Sequence, residues 1–481
     1  MAAPDPSLSA AIAVTRFGLG ARPGEIAEAA HDPKGWLKAQ IRAEGADQPV
    51  EASPETAAQR IAELRQFQQQ RRAFKQAAAD KAPQAEPARD PVKMAQKLLR
   101  QDTAQDFLAR ARLGATTAAG FRERWTLFWA NHFTVAAKNL QCALVVGPYE
   151  NEAIRPHVFG RFEALLTAVE THPGMLLYLD QAQSIGPDSR FAELVKARAA
   201  RFGARGPAAG RKLGLNENLA RETMELHTVS VNGGYTQADV TEFARALTGL
   251  SIGGFRGPAG QVGETVFREP AHEPGVRTIM GVRYPQTGEA QPMAILADLA
   301  RKPQTARFIC TKLARHFVAD TPPPALVDRL QGVWMASGGD LAKVAEALIE
   351  APEAWAPPEE KFKTPYDFVI SSFRAAGAEP QDIRQVATIL TALGQKPFDP
   401  GSPKGFPDDT ASWSAPDAIV KRMAFAQAFA PRAVQGRDPS ALAEQALGAR
   451  LTPATATAIA RAESRPEGFA LLLMSPEFQR R

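Results

Sequence analysis

GLNENLARETMELHTVSVNGGYTQADVTEFARALTGL, residues 214–250, is the stretch whose reading decides the fold. Asn216 is a good helix N-cap, and Glu217 in the first turn meets the positive end of the helix dipole. From there Asn218, Arg221, Glu222 and Glu225 fall at i, i+3, i+4 and i+7 and form one polar stripe, while Leu215, Leu219, Thr223 and Leu226 face the other way. A turn at Asn232, Gly233 and Gly234 follows. Thr236 and Asp239 then make a T-x-x-D capping pattern that opens a second helix, apolar along Val240, Phe243, Ala244 and Leu247 and polar at Asp239, Glu242 and Arg245. Two amphipathic helices joined by a tight turn predict a hairpin in which acids and guanidinium groups meet.

Outward from this hairpin, helical spacing dominates. Residues 55–79 are rich in Ala, Gln, Arg and Leu and predict a long, mostly exposed helix that stops at the three prolines of residues 81–91, read as an extended linker. A new helix starts at Val92. In residues 121–135, Trp125, Phe128, Trp129, His132 and Phe133 share one helix face, which has to be buried. Helices are also predicted over 161–170, 174–180, 304–317, 324–335 and 340–350. The exception is 251–285, where glycines alternate with Val262, Val266, Phe267, Val276, Ile279 and Val282, the pattern of short hairpins. Residues 398–413 hold too much Pro and Gly for a helix, and Trp413 is expected to anchor them. The fold class is therefore mainly α, a large multi-helix globular fold with a small β-hairpin insertion around residues 251–285. We read 1–120, 121–320 and 321–481 as parts of one fold.

Composition supports a globular chain: 44% of the 481 residues are hydrophobic and 23% charged. Cys142 and Cys310 stand in no C-x-x-C pattern, so neither a disulfide framework nor a cysteine zinc cluster is available, although one bridge is possible in principle. No apolar run approaches the ~20 residues of a transmembrane helix. Asp5 stands where a signal peptide carries basic residues, and the apolar stretch ends at Arg16, so the sequence as given reads as cytoplasmic, with export beside a partner left open. A formal charge of +5 spread over this length gives a weak mean field. Between 190 and 212, however, Arg190, Lys196, Arg198, Arg201, Arg205, Arg211 and Lys212 face only Glu193, with glycines between them. This predicts a basic loop, either a solvated insertion or a contact for an acidic ligand. Phe191 and Phe202 form no stacking ladder, which excludes specific nucleic-acid recognition.

For chemistry, Glu222, Glu225 and His272 are the candidate catalytic residues, as carboxylates and an imidazole suited to proton transfer. Asn218, Arg221, Tyr235, Asp239, Arg245 and His172 are candidates to bind an anionic substrate. The bland alternative is an ion-pair network, Arg221 with Glu217 and Glu225 and Arg245 with Glu242, that only braces the hairpin. His227 at the end of the first helix is favoured there by the dipole; His172 before Pro173 fits a cap. His132 reads as a core histidine, and His31, His157 and His316 show no convergent context. No H-E-x-x-H or P-loop motif occurs, and no spacing assigns a metal or cofactor.

The segments AVTRFGLGARPGE (13–25), RERWTLFWANHF (122–133), HPGMLLYLD (172–180), the 214–250 stretch, HEPGVRTIMG (272–281) and ARFICTKLARHFVAD (306–320) together resemble the bacterial family catalogued as domain of unknown function 1800. The resemblance implies a mainly helical protein, often encoded beside a sulfatase-like protein and often exported. That neighbour is the candidate partner, so the two functions in view are an enzyme with a carboxylate, histidine and arginine cleft, its reaction open though hydrolysis is one guess, and a non-catalytic partner or assembly factor. This chain has Ala130 where relatives often have a histidine in a W-H-N-H-F block.

Overall fold

A computed structural model describes residues 5–79, 91–202, 214–254, 260–356 and 361–481. Its centre is the helix Gly120–His132, buried on every side. The predicted aromatic face is inside, with Trp125, Phe128, Trp129, His132 and Phe133 all buried. Trp125 stacks on Phe159 at 6.0 Å between ring centroids and donates its indole N–H to the carbonyl of Val158 at 2.7 Å. Three charged residues just before Trp125, Arg122, Glu123 and Arg124, are equally buried. A helix enclosed all round must find partners for such groups.

Those partners come from far along the chain. Arg124 donates to the carbonyl of Gly18 at 2.8 Å and to Asp367 at 3.0 Å. Glu123 takes Arg155 at 2.9 Å, and Arg155 also reaches Glu150 at 2.7 Å. Arg374 grips Glu25 at 2.8 Å and donates to the carbonyls of Gly20, Gly114 and Thr117. Here a glycine is required: Gly20 has φ +97°, and a Cβ on it would lie 2.7 Å from Cβ of Ser371. One hydrophobic cluster runs from Ile12 to Phe478, so all three stretches of chain contribute to a common interior.

The predicted helices form as Ala57–Ala79, Pro91–Thr116, Phe162–Thr171, Pro173–Tyr178, Pro303–Phe317, Pro324–Ser337 and Leu341–Glu350. Strands among the described residues are confined to two hairpins. In the first, β1 (Leu250–Ile252) pairs antiparallel with β2 (Thr265–Phe267), Leu250 opposite Phe267. In the second, β3 (Arg277–Ile279) pairs with β4 (Val282–Tyr284), Arg277 opposite Tyr284, across Met280 and Gly281, both at positive φ as a two-residue hairpin turn demands.

Two expectations change. The basic segment begins as a helix, Arg190–Phe202, because RFAELVKARAARF consists mostly of good helix formers and the first glycine comes only at Gly203. The remainder of that segment, 203–212, and linker residues 81–90 lie outside the described residues. The Glu217–His227 helix is not uniform either: Asn218–Glu222 is α, and Thr223–His227 winds as a π turn. The wider turn shifts the register, so that Met224 and His227 are buried while Leu226 is half-buried.

Removing one partner of a buried pair strands the other's charge. Glu25→Gln is expected to lower unfolding free energy by about 3–5 kcal/mol, checked by chemical denaturation at neutral pH; a loss below 1 kcal/mol would contradict the bracing role given to Arg374.

Candidate functional site

The helical hairpin forms, although its first helix starts one residue later than read from the sequence, with Glu217 in place of Asn216 at the N-cap position. The Asn216 side chain caps the backbone N–H of Asn218 at 2.9 Å, and the second helix, Gln237–Leu247, opens with the Thr236–Asp239 capping box. Asp239 is occupied twice, by that box and by the backbone N–H of Met280 at 2.6 Å, which ties the hairpin to β3–β4 and holds its carboxyl low even though burial opposes this. Between the helices, Glu217 accepts from Arg221 at 3.0 Å, Thr241 at 2.7 Å and Gln237 at 2.8 Å. Arg245 meets Glu242 at 3.1 Å, and Glu242 also takes Arg277 at 3.1 Å. Arg221 pairs with Glu217 and not with Glu225, which instead accepts from the Tyr235 hydroxyl at 3.5 Å. Asn218 is exposed.

Glu222 faces the other way, toward an imidazole that sequence reasoning left as a dipole contact. Burial raises the Glu222 carboxyl above the ordinary range, with His227, Glu225, Arg221 and Glu170 as its charged neighbours. His227 is 1% exposed; its Nδ1 lies 2.6 Å from Oε1 of Glu170, itself wholly buried. The remaining atoms of this pair, His227 Nε2 and Glu170 Oε2, are buried without a hydrogen-bond partner.

The other two candidate histidines sit apart. His272 is buried, with Nδ1 2.9 Å from the carbonyl of Thr248, and packs on Phe267. The next residue, Glu273, accepts from the backbone N–H of Asp188 at 2.8 Å. His172 caps its helix by accepting from Gly174 N–H at 3.0 Å through Nδ1, with Nε2 2.9 Å from Glu152. No hydrogen bond joins His272 to Glu222 or Glu225 among the described residues. Nor, among them, do three His, Cys, Asp or Glu side chains gather as metal ligands.

A cavity of about 100 Å³ lies elsewhere, between the 120–132 helix, the 303–317 helix and the loop over 395–408. Its wall holds His316 and Asp408, with Nδ1 2.9 Å from Oδ2, while His316 Nε2 is buried and unpartnered. Lys361 stands 3.1 Å from the other Asp408 oxygen. Burial works against the Asp408 charge, but His316 and Lys361 outweigh it and hold the carboxyl well below its usual range. Two arginines share the cavity. Arg124 is paired with Asp367, and Arg110 with Glu150 at 3.0 Å; the Arg110 guanidinium lies 5.2 Å from the ring centre of Tyr366, 5.4 Å from Phe398 and 5.7 Å from Phe107. The Nε–H of each arginine is buried and has no acceptor. Ala130 also lines the cavity.

The loop that roofs this space is fixed by side chains. Asn131 donates to the carbonyl of Phe406 at 3.0 Å and accepts from its N–H at 2.8 Å. Gly405, at φ +83°, runs so close to the carbonyl of Asn131 that a Cβ has no room. Trp413 is buried and donates to the carbonyl of Pro407 at 2.9 Å, the anchor its sequence context predicts.

Fold and cavity define a mainly helical protein with a half-buried histidine–carboxylate pair, His316 and Asp408, on the wall of a cavity roofed by a loop. The family described as Protein of unknown function (DUF1800) matches residues 12–480, and the chain belongs to it. No curated protein and no solved structure matches the chain. Among the described residues no helix is long and apolar enough to cross a membrane.

The two charge clusters differ in cost. Arg221→Ala, at a half-exposed i,i+4 pair, is expected to change stability by about 0.5 kcal/mol or less. Glu170→Gln, in the buried pair with His227, is expected to cost about 1–3 kcal/mol. Thermal and urea denaturation of the two variants in parallel measures the contrast, and equal effects would refute it.

Proposed function

We propose that the protein is an enzyme performing acid–base chemistry on a small substrate with an anionic group, and that the cavity holding His316 is where it acts. The observation that carries this reading is the His316–Asp408 pair. Asp408, held ionised, accepts the Nδ1 proton and fixes the tautomer, so Nε2 presents a lone pair. A base so oriented takes a proton from water or a substrate hydroxyl, and the imidazolium that forms is stabilised by the same carboxylate. Arg110 and Arg124, two cations on the cavity wall, support an anionic substrate. Hydrolysis is the simplest reaction of this class.

Two other assignments remain proposals. One is a second acid–base set of Glu222, with its raised carboxyl, Glu225 and His272, with Arg221, Asn218, Tyr235, Asp239, Arg245 and His172 as binding groups; it is weakened by His272 and His172 bonding to other segments. A non-catalytic role beside a sulfatase-like neighbour, with the basic 190–212 segment meeting an acidic surface, is favoured by one observation: Arg221 and Arg245 are already paired within the hairpin.

These readings separate on one panel of ester and phosphate-ester substrates assayed with wild type, His316→Asn, Asp408→Asn and Glu222→Gln. Loss of about 10²- to 10⁴-fold in turnover is expected for the first two variants and little for the third. Loss confined to Glu222→Gln moves the chemistry to the hairpin, and absence of turnover throughout, with retained binding of the neighbour, favours the partner role. Asp408 also has a pH signature. Its carboxyl is depressed in the folded protein, so its contribution to stability is present above the unfolded value near ~3.9 and is lost as pH falls through the lower folded value. The melting-temperature gap between wild type and Asp408→Asn is therefore expected to be full at pH 7 and to close below about pH 4.

A further inference from the structure

One turn before His316 on the same helix, Lys312 occupies a setting that the chemistry above leaves unused. Its Nζ lies 2.8 Å from His132 Nδ1, and His132 Nε2 lies 3.2 Å from the backbone carbonyl of His227. A carbonyl only accepts, so the imidazole proton sits on Nε2 and Nδ1 offers its lone pair to the amine. Burial first, and then Lys312 and His227, push His132 well below the ordinary imidazole range, so it stays neutral. Among the described residues Lys312 has no carboxylate within ion-pair distance; on its other side is the Phe308 ring, 5.5 Å from Nζ. Of the charged groups facing it, Asp408 favours the ammonium while Lys404 and Arg315 oppose it, and burial outweighs them all, bringing the amine down to about 8. The side chain is nevertheless half-buried, not sealed.

Lys363 provides the contrast. It too has a strongly depressed amine, because of burial first and the neighbouring Arg450, and donates to Ser371 Oγ at 3.0 Å beneath Phe478. At 4% exposure it is closed off, and core packing accounts for it.

We propose that Lys312 is a covalent attachment site for small aldehydes, an amine held against a neutral imidazole and apart from any carboxylate so that it condenses with a carbonyl group. The neutral amine adds to the carbonyl carbon, forming C–N as the π pair moves to oxygen, which takes up one of the two protons on the nitrogen. His132 Nδ1 holds the amine by accepting its hydrogen bond, and the proton left on nitrogen passes through solvent to the carbinol hydroxyl. That hydroxyl leaves as water and C=N forms. Amine plus aldehyde yields imine plus water, with no change of oxidation state. The site is independent of the His316–Asp408 reading, since it needs neither group as a base.

The test uses the full chain with formaldehyde and cyanoborohydride at pH 7, reading dimethylation of each lysine by peptide mass mapping. A pKa lowered from 10.5 to about 8 raises the neutral fraction at pH 7 by roughly two orders of magnitude. Lys312 is expected to react at least ~10-fold faster than the exposed Lys343 and Lys421, with Lys363 unmodified. The ¹³C-dimethyl signal of Lys312, assigned by its loss in Lys312→Arg, is expected to titrate near 8. Labelling of Lys312 no faster than that of the two surface lysines, or a titration midpoint near theirs, overturns the proposal.

Discussion

The contact between Arg124 and Asp367 is the constraint on which the rest of the structure depends. The guanidinium leaves the central helix inside the protein, with Arg124 only 1% exposed, and it is satisfied by Gly18 from the start of the chain and Asp367 from near its end. Burying a charge is expensive unless its partners arrive in good geometry, so this one residue requires segments some 240 positions apart to assemble together. Arg155 and Arg374 impose the same demand on Glu123, Glu150 and Glu25. The apolar cluster supplies cohesion, and the arginines specify which surfaces meet. Arg124 and Asp367 also form part of the cavity wall, so the element that registers the fold registers the site.

Much of this was legible in the letters. Helical periodicity located the long helices because amphipathic spacing reports a half-buried surface, and the buried aromatic face of residues 125–133 followed from the size of its side chains. The capping box at Thr236 was visible because it is a local hydrogen-bond pattern. The 120–132 helix was legible in part only: its charged residues read as exposed until the distant partners of Arg122, Glu123 and Arg124 are in place. The π turn at Thr223–His227 carried no comparable signal, since no capping or periodicity rule used in reading a sequence marks an i→i+5 turn.

The cavity was illegible for a different reason. His316 and Asp408 are separated by 92 positions, and Asp408 belongs to a Pro- and Gly-rich loop whose path is set by Asn131, on another helix. No spacing rule joins them. What was available was weaker: ARFICTKLARHFVAD and the loop through Trp413 both stood out, and the structure brings the two segments together. The hairpin drew attention because its charges are dense and close in sequence, yet most of that density is spent internally, on Glu217 and Glu242.

The roof of the cavity is attached in a way that separates shape from support. Loop residues 395–408 are held by the Asn131–Phe406 bonds, by Ala137 N–H donating to the Phe398 carbonyl at 2.7 Å and by Trp413 on Pro407, whereas the arginine braces lie in the helices beneath. Variation in this panel can therefore remodel the enclosed volume while the frame is untouched. Within one architecture, the contour of the enclosed space has a ready place to vary, much as exchangeable panels fit a common chassis.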